Sequence, residues 1–175
     1  MATLPDWRIH VPGHPDEAEL FLRRAAADDE PVYIRLAQRS NATRVATADG
    51  SLVTLRRGPE GAPTIVAVGP MLDATLAAVA DLDATVLYTA TVRPFDGDVL
   101  QRAVTGSDVV LIEPYLEGTS AAEITRALAH RPVRLLSIGV PRAEHRRYGA
   151  ADDHDRAHGL DAAGLRARIA GWLAA

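Results

Sequence analysis

The sequence predicts an α/β fold built on a mostly parallel sheet covered on both faces, and three observations support this. Apolar runs of strand length recur at Thr64–Val68, Thr85–Thr89, Val109–Ile112 and Arg134–Ile138. Segments with helical spacing of apolar residues separate these runs, as in a layered domain of alternating strands and helices. The strands are continuously apolar rather than alternating in polarity, which marks strands packed on both sides.

The elements follow in order. Trp7–Val11 reads as a short strand closed by Pro12-Gly13, and His14 or Asp16 opens a helix with Pro15 in its first turn. Asp28-Asp29-Glu30-Pro31 stops that helix, and Val32–Leu36 is a strand. The polar stretch from Gln38 to Thr43 reads as a linker, and Asp49-Gly50 as a hairpin turn between Val45–Thr47 and Leu52–Leu55. Met71–Leu82 is expected to be helical, with Leu72, Leu76 and Val79 on one stripe, and Asp96–Val104 forms a shorter helix. Ser120 is expected to cap a helix that reaches His130, with Glu123 at the capping-box position. In the last helix Asp161 is the N-cap, and Leu165, Ile169, Trp172 and Leu173 form the buried stripe.

Composition removes several function classes. The 175 residues include no Cys, so thiolate nucleophiles, iron–sulfur clusters and Cys-ligated zinc are excluded. All 19 basic residues are Arg, which removes Schiff-base chemistry and the Lys of a phosphate-binding loop. The net charge of -4 is spread along the chain, which argues against nucleic acid as a partner. No run approaches the ~20 apolar residues of a membrane span, and MATLPDWRIHVPGHPDE lacks the form of a signal peptide. A cytoplasmic protein with no membrane partner is expected.

Several groups of residues invite a functional reading. Gly69 ends a strand and precedes a helix, but VGPMLDA holds one glycine where a dinucleotide fingerprint needs three, so a tight turn is the better reading. Asp152, Asp153, His154, Asp155 and His158 are the densest set of metal-ligand types, in what reads as a hydrated polar connection. Glu113 sits at the carboxyl end of a strand, where open α/β sheets bind ligands, and Glu117 and Asp96 are potential neighbours for acid–base work. Routine use of acids at caps and strand ends competes with that reading. Ser120 and Ser137 lack the Gly-x-Ser-x-Gly setting of an activated nucleophile.

Beyond this point a resemblance carries the reading. IHVPGHPDEAELFLRRAAADDEPVYIRL resembles the last strand–helix–strand of the pyrimidine-binding domain of transketolase-like enzymes. TIVAVGPMLDATLAAV, VRPFDGDVL, VVLIEPYLEGTSAAEITRAL, IGVPRAEHRRYG and HGLDAAGLRARI resemble successive parts of the transketolase carboxy-terminal domain. The resemblance implies a three-layer α/β/α domain over residues 43–175, preceded by a strand–helix–strand remnant and linker over residues 1–42.

It also implies the carboxy-terminal component of a thiamine-diphosphate-dependent two-carbon transferase, with magnesium in the complete enzyme. Two alternatives are a non-catalytic interaction module and the equivalent part of a 2-oxo-acid dehydrogenase beta component. Such enzymes hold the cofactor with a Gly-Asp-Gly…Asn segment and an activating Glu on other domains. Asp96-Gly97-Asp98 is not that segment, and the chain begins after the place of that Glu. The chain by itself is therefore expected to bind no cofactor. Its implied partners are a second copy or companion subunits that carry the diphosphate- and pyrimidine-binding domains. Association is expected through residues 7–36, where an incomplete sheet would expose Val32 and Ile34. In the family an Arg after the VYIRL-type strand binds substrate phosphate. The aligned residue is Gln38, and Arg39 is its neighbour, so these two are the substrate-phosphate candidates.

Overall fold

The computed structural model describes residues 6–143 and 148–175. Features expected of residues 1–5, and of residues 144–147 within IGVPRAEHRRYG, lie outside the described residues. The chain opens with strand β1 (Arg8–His10), helix α1 (Pro15–Ala27) and strand β2 (Val32–Ile34). Pro15 occupies the first turn of α1, and the His14 ring nitrogen accepts from the Asp16 amide at 3.2 Å, so the cap forms as the sequence predicts. β1 and β2 are parallel and are joined by a crossover through α1, as parallel neighbours require.

The main sheet comprises β3 (Val53–Arg56), β4 (Thr64–Val68), β5 (Thr85–Thr89), β7 (Asp108–Leu116) and β8 (Arg134–Val140). Their spatial order is β3-β5-β4-β7-β8, parallel except for β3 at one edge. β4 and β5 are buried at every residue, which explains their uninterrupted apolar runs.

Helices α2 (Leu72–Ala78) and α6 (Ala162–Leu173) pack on one face, where Ile65, Val86, Val110 and Ile112 meet Val79, Leu165 and Ile169. Helices α3 (Gly97–Ala103) and α4 (Ala121–Ala127) cover the other, where Val66, Leu87 and Leu111 meet Leu100 and Ile124. The domain is thus a three-layer α/β/α structure. Each fully buried aliphatic side chain contributes about 1.5–3 kcal/mol, so this doubly covered sheet is the main stabilising body.

One short strand ties the amino-terminal unit to this body. β6 (Thr91–Arg93) follows β5 after Ala90 alone and pairs antiparallel with β1, giving a second sheet of order β2-β1-β6. The Val11 amide donates to the Ala90 carbonyl at 2.7 Å, and Ile9 and Val11 are buried in the main core. Phe21 of α1 is buried beside Tyr88 and Leu72.

The structure corrects several local expectations. Val45–Thr47 is not a strand and forms no hairpin, because β3 takes β5 as its partner. The helix expected over Met71–Leu82 is shorter: a 3-10 turn occupies Gly69–Met71, and α2 stops at Ala78. Leu76 is 37% exposed, and Thr75 takes the buried position on α2. The capping box at Ser120 does not form, since Glu123 turns instead to Arg93 (3.2 Å) and Arg126 (2.6 Å). The expected polar connection at residues 151–158 is helix α5 (Ala151–His158), closed by Gly159 in a left-handed conformation at φ 65°. Val32 and Ile34 are half-buried, and Ile34 packs against the cluster around Phe21 and Tyr88, so they are not an open apolar face.

Candidate functional site

The carboxyl ends of the main-sheet strands are where an open α/β sheet would take a ligand. Gly69, at the end of β4, has φ 53°, and a side chain there would run into the Val11 carbonyl. Gly13 lies just as close, because a Cβ on it would overlap the Asn41 side chain and the Gly69 carbonyl. The Asn41 amide nitrogen donates to that carbonyl at 3.0 Å. The glycine turn read from the sequence is therefore packed against the amino-terminal unit and presents no cradle for a pyrophosphate.

Glu17 is the polar centre of this seam and was missed by sequence reasoning. It is fully buried. One carboxylate oxygen accepts from the Gly13 amide (2.8 Å) and the Tyr88 hydroxyl (2.7 Å). The other accepts from the amides of Val45 (2.9 Å) and Ala46 (2.7 Å). Four donors satisfy a charge that would otherwise be costly to bury. Burial, reinforced by Glu17, raises the Tyr88 pKa far above the ordinary phenol value, so Tyr88 keeps the proton it donates to Glu17.

His10 lies on the same unit, stacked on Phe21 with ring centroids 4.0 Å apart and hydrogen-bonded to Thr91 Oγ1 at 2.9 Å. Burial, with Arg8 and Arg24 nearby, lowers its pKa to about 4.

The three carboxylates considered as an acid–base group have separate tasks. Asp96 caps α3 through the Val99 amide (3.0 Å) and also accepts from the Leu52 amide (3.2 Å). Glu117 accepts from Arg168 at 2.7 Å and from the Gly139 amide at 3.3 Å. Glu113 is fully buried, with one oxygen accepting from the Ser120 amide at 3.1 Å and the other unpartnered. Burial raises its pKa and favours the neutral acid. The Ser120 hydroxyl bonds the Tyr115 hydroxyl at 2.8 Å, and the carboxyl nearest to it is Glu113, which burial pushes toward its neutral form and so away from the role of a base.

Gln38 and Arg39 lie in the segment after β2 and line a cavity of about 330 Å³ with Pro70, Met71, His154 and His158. Arg39 forms an ion pair with Asp155 of α5. Its guanidinium therefore already has a carboxylate partner, which an incoming phosphate would have to displace. His154, Asp155 and His158 line this same cavity, but among the described residues no three His, Asp or Glu side chains converge to hold a metal.

A second cavity, of about 190 Å³, lies between the small sheet and the end of β7. Ile9, Val11, Val92 and Leu116 give it aliphatic walls, and Arg35, Arg93, Glu123 and Tyr115 surround them with polar groups.

This fold and these motifs define the class. Residues 52–165 match the family model described as the transketolase carboxy-terminal domain, and the chain belongs to that family. Among particular relatives, the chain is 46% identical over 175 residues to an uncharacterized 33.6 kDa protein in the fasciation locus of Rhodococcoides fascians. That alignment covers 98% of the chain and 55% of the relative, so the chain spans about half that protein's length. It is 28% identical to the 1-deoxy-D-xylulose-5-phosphate synthase of Thioalkalivibrio sulfidiphilus, covering 97% of the chain and 28% of the enzyme.

Among solved structures, it is similar to a split-gene transketolase described as an inactive beta4 tetramer. The TM-score is 0.78 at 26% identity, over 98% of this chain and 58% of that one. Transketolase from Campylobacter jejuni shares the fold, with a TM-score of 0.64 at 15% identity over 97% of this chain and 27% of the enzyme.

Proposed function

We propose that this chain is the carboxy-terminal component or fragment of a transketolase-like, thiamine-diphosphate-dependent two-carbon transferase, and that it is catalytically incomplete alone. The observation that carries the reading is the match to the split-gene transketolase, which extends over 98% of this chain but 58% of the other. That likeness runs through the small sheet as well as the main one, so the division into residues 1–42 and 43–175 belongs to the same proposal.

The cofactor does not fit the residues present. Magnesium and a diphosphate need convergent oxygen ligands. Here the Asp96 carboxylate is occupied by two backbone amides, and no acidic or His cluster gathers elsewhere among the described residues. The chain's own contribution is therefore support: it completes an assembly whose cofactor-holding parts lie outside these 175 residues.

The partner surface we propose lies on residues 7–36. Among the described residues β2 pairs on one side only, with β1. Beside it Leu22 and Leu36 are 53% and 63% exposed and line one groove with Pro15 and Ala18. An open strand edge beside exposed leucines suits a companion subunit or a second copy. No helix among the described residues is long and apolar enough to cross a membrane, and a cytoplasmic location goes with the proposed role.

Co-expression with the products of adjacent genes tests this reading. Calorimetry on the chain alone, with thiamine diphosphate and magnesium, should give no saturable heat. The reconstituted assembly should bind the cofactor and transfer a two-carbon unit. Micromolar binding by the isolated chain would overturn the proposal.

A further inference from the structure

We propose that the cavity between the small sheet and the end of β7 is a binding site for a small monocarboxylate with an apolar tail. The inference does not rest on the chain completing a transferase, because the site is formed wholly by described residues of this chain.

The cavity has two chemical halves. Ile9 and Val11 of the first strand and its exit, Val92 of β6 and Leu116 of β7 supply aliphatic walls. Arg35 supplies charge. Its guanidinium lies 5.5 Å from the centre of the Tyr115 ring, and no carboxylate among the described residues lies within 4.0 Å of it. The other cation at the rim, Arg93, is held by Glu123 at 3.2 Å. Charge around the cavity therefore leaves one positive group unmatched. The Tyr115 and Ser120 hydroxyls, bonded to each other at 2.8 Å, keep hydrogen-bonding capacity at the same wall.

These features select the ligand class. One uncompensated guanidinium calls for one anionic group, and a planar carboxylate matches its fork with two parallel hydrogen bonds. Aliphatic walls penalise a polyhydroxyl body, whose groups would lose water without finding partners. The volume of about 190 Å³ is below the range of about 300–1,000 Å³ typical of drug-sized ligands, which limits the tail to a short one. Arg35 also borders the neighbouring cavity of Gln38 and Arg39, where Arg39 is paired to Asp155.

The test titrates the 175-residue chain with isovalerate and follows backbone amide resonances. Isoamyl alcohol serves as a neutral counterpart and inorganic phosphate as an anion without a tail. Saturable shifts are expected at residues 9–11, 92–93 and 115–120 with isovalerate, and weaker or no shifts with the two controls. Arg35→Gln should weaken isovalerate binding by about tenfold or more, the worth of a charge-assisted hydrogen bond. Thr119→Trp is a second variant: it changes an exposed residue at the cavity and should block binding while leaving Arg35 in place. Equal affinity for the alcohol or phosphate would overturn the assignment. So would undiminished binding in both variants, or shifts that map away from these residues.

Discussion

The amino-terminal unit and the main sheet are held by different kinds of interaction. The main sheet rests on continuous apolar packing, with β4 and β5 buried along their whole lengths. The amino-terminal unit contributes Ile9, Val11 and Phe21 to the cores, yet polar anchors fix its position. These are Glu17 with its four donors, Asn41 on the Gly69 carbonyl, and His10 on Thr91. Apolar packing tolerates gradual change, whereas a buried polar anchor fails abruptly when one partner is lost. Single substitutions should therefore act more sharply on the seam than on the sheet.

The largest effect is expected from Glu17→Ala. It strands three amides and the Tyr88 hydroxyl in a buried site, and should cost about 4 kcal/mol in urea unfolding. Glu17→Gln keeps part of the acceptor set and should cost less. If Glu17→Ala is no worse than Ile65→Val in the main sheet, about 1 kcal/mol, the contrast between the regions fails.

The next effect is pH-dependent. The folded state holds the His10 pKa at about 4, below the ordinary histidine value of 6.5. The unfolded chain therefore binds the proton first as pH falls. Stability is fully present above pH 6.5 and should decline progressively toward pH 4, by on the order of 3 kcal/mol in total. His10→Gln should flatten that decline.

Glu113 should give a smaller slope of opposite sign. Its folded pKa is raised by burial, so the folded state keeps its proton while the unfolded state releases it. Stability should fall as pH rises from the ordinary glutamate value of 4.5 through the raised value, and Glu113→Gln should remove that dependence. The smallest effect on folding belongs to Leu36→Asp at an exposed position. It should change stability by no more than about 0.5 kcal/mol, while lowering association with companion chains in light scattering.

The same contrast explains what the sequence disclosed. The strands of the main sheet and the Asp161 cap of α6 were legible because apolar periodicity and capping are local signals. β6 was not, since Thr91–Arg93 continues the apolar run of β5 and nothing in composition marks the change of sheet at Ala90. α5 was hidden by its charge, as a helix with no buried residue leaves no apolar stripe. Glu17 reads as an ordinary acid in the first turn of a helix. Gly13 is a local partner, but the other three lie at positions 45, 46 and 88, beyond the reach of any local pattern. Gln38 and Arg39 were placed by likeness to a family, and the partner of Arg39 is a residue of the helix that composition concealed.

The closure at Gly69 has a consequence for how this fold can diversify. In an open α/β sheet the crevice beyond the strand ends is free to exchange one small molecule for another over evolutionary time. Here residues 11–13 and Asn41 fill that position from within the polypeptide. The chain is its own permanent ligand there. New specificities must arise away from Gly69, in the cavity bordered by Pro70, Pro114 and Val140 or at the seams of the chain.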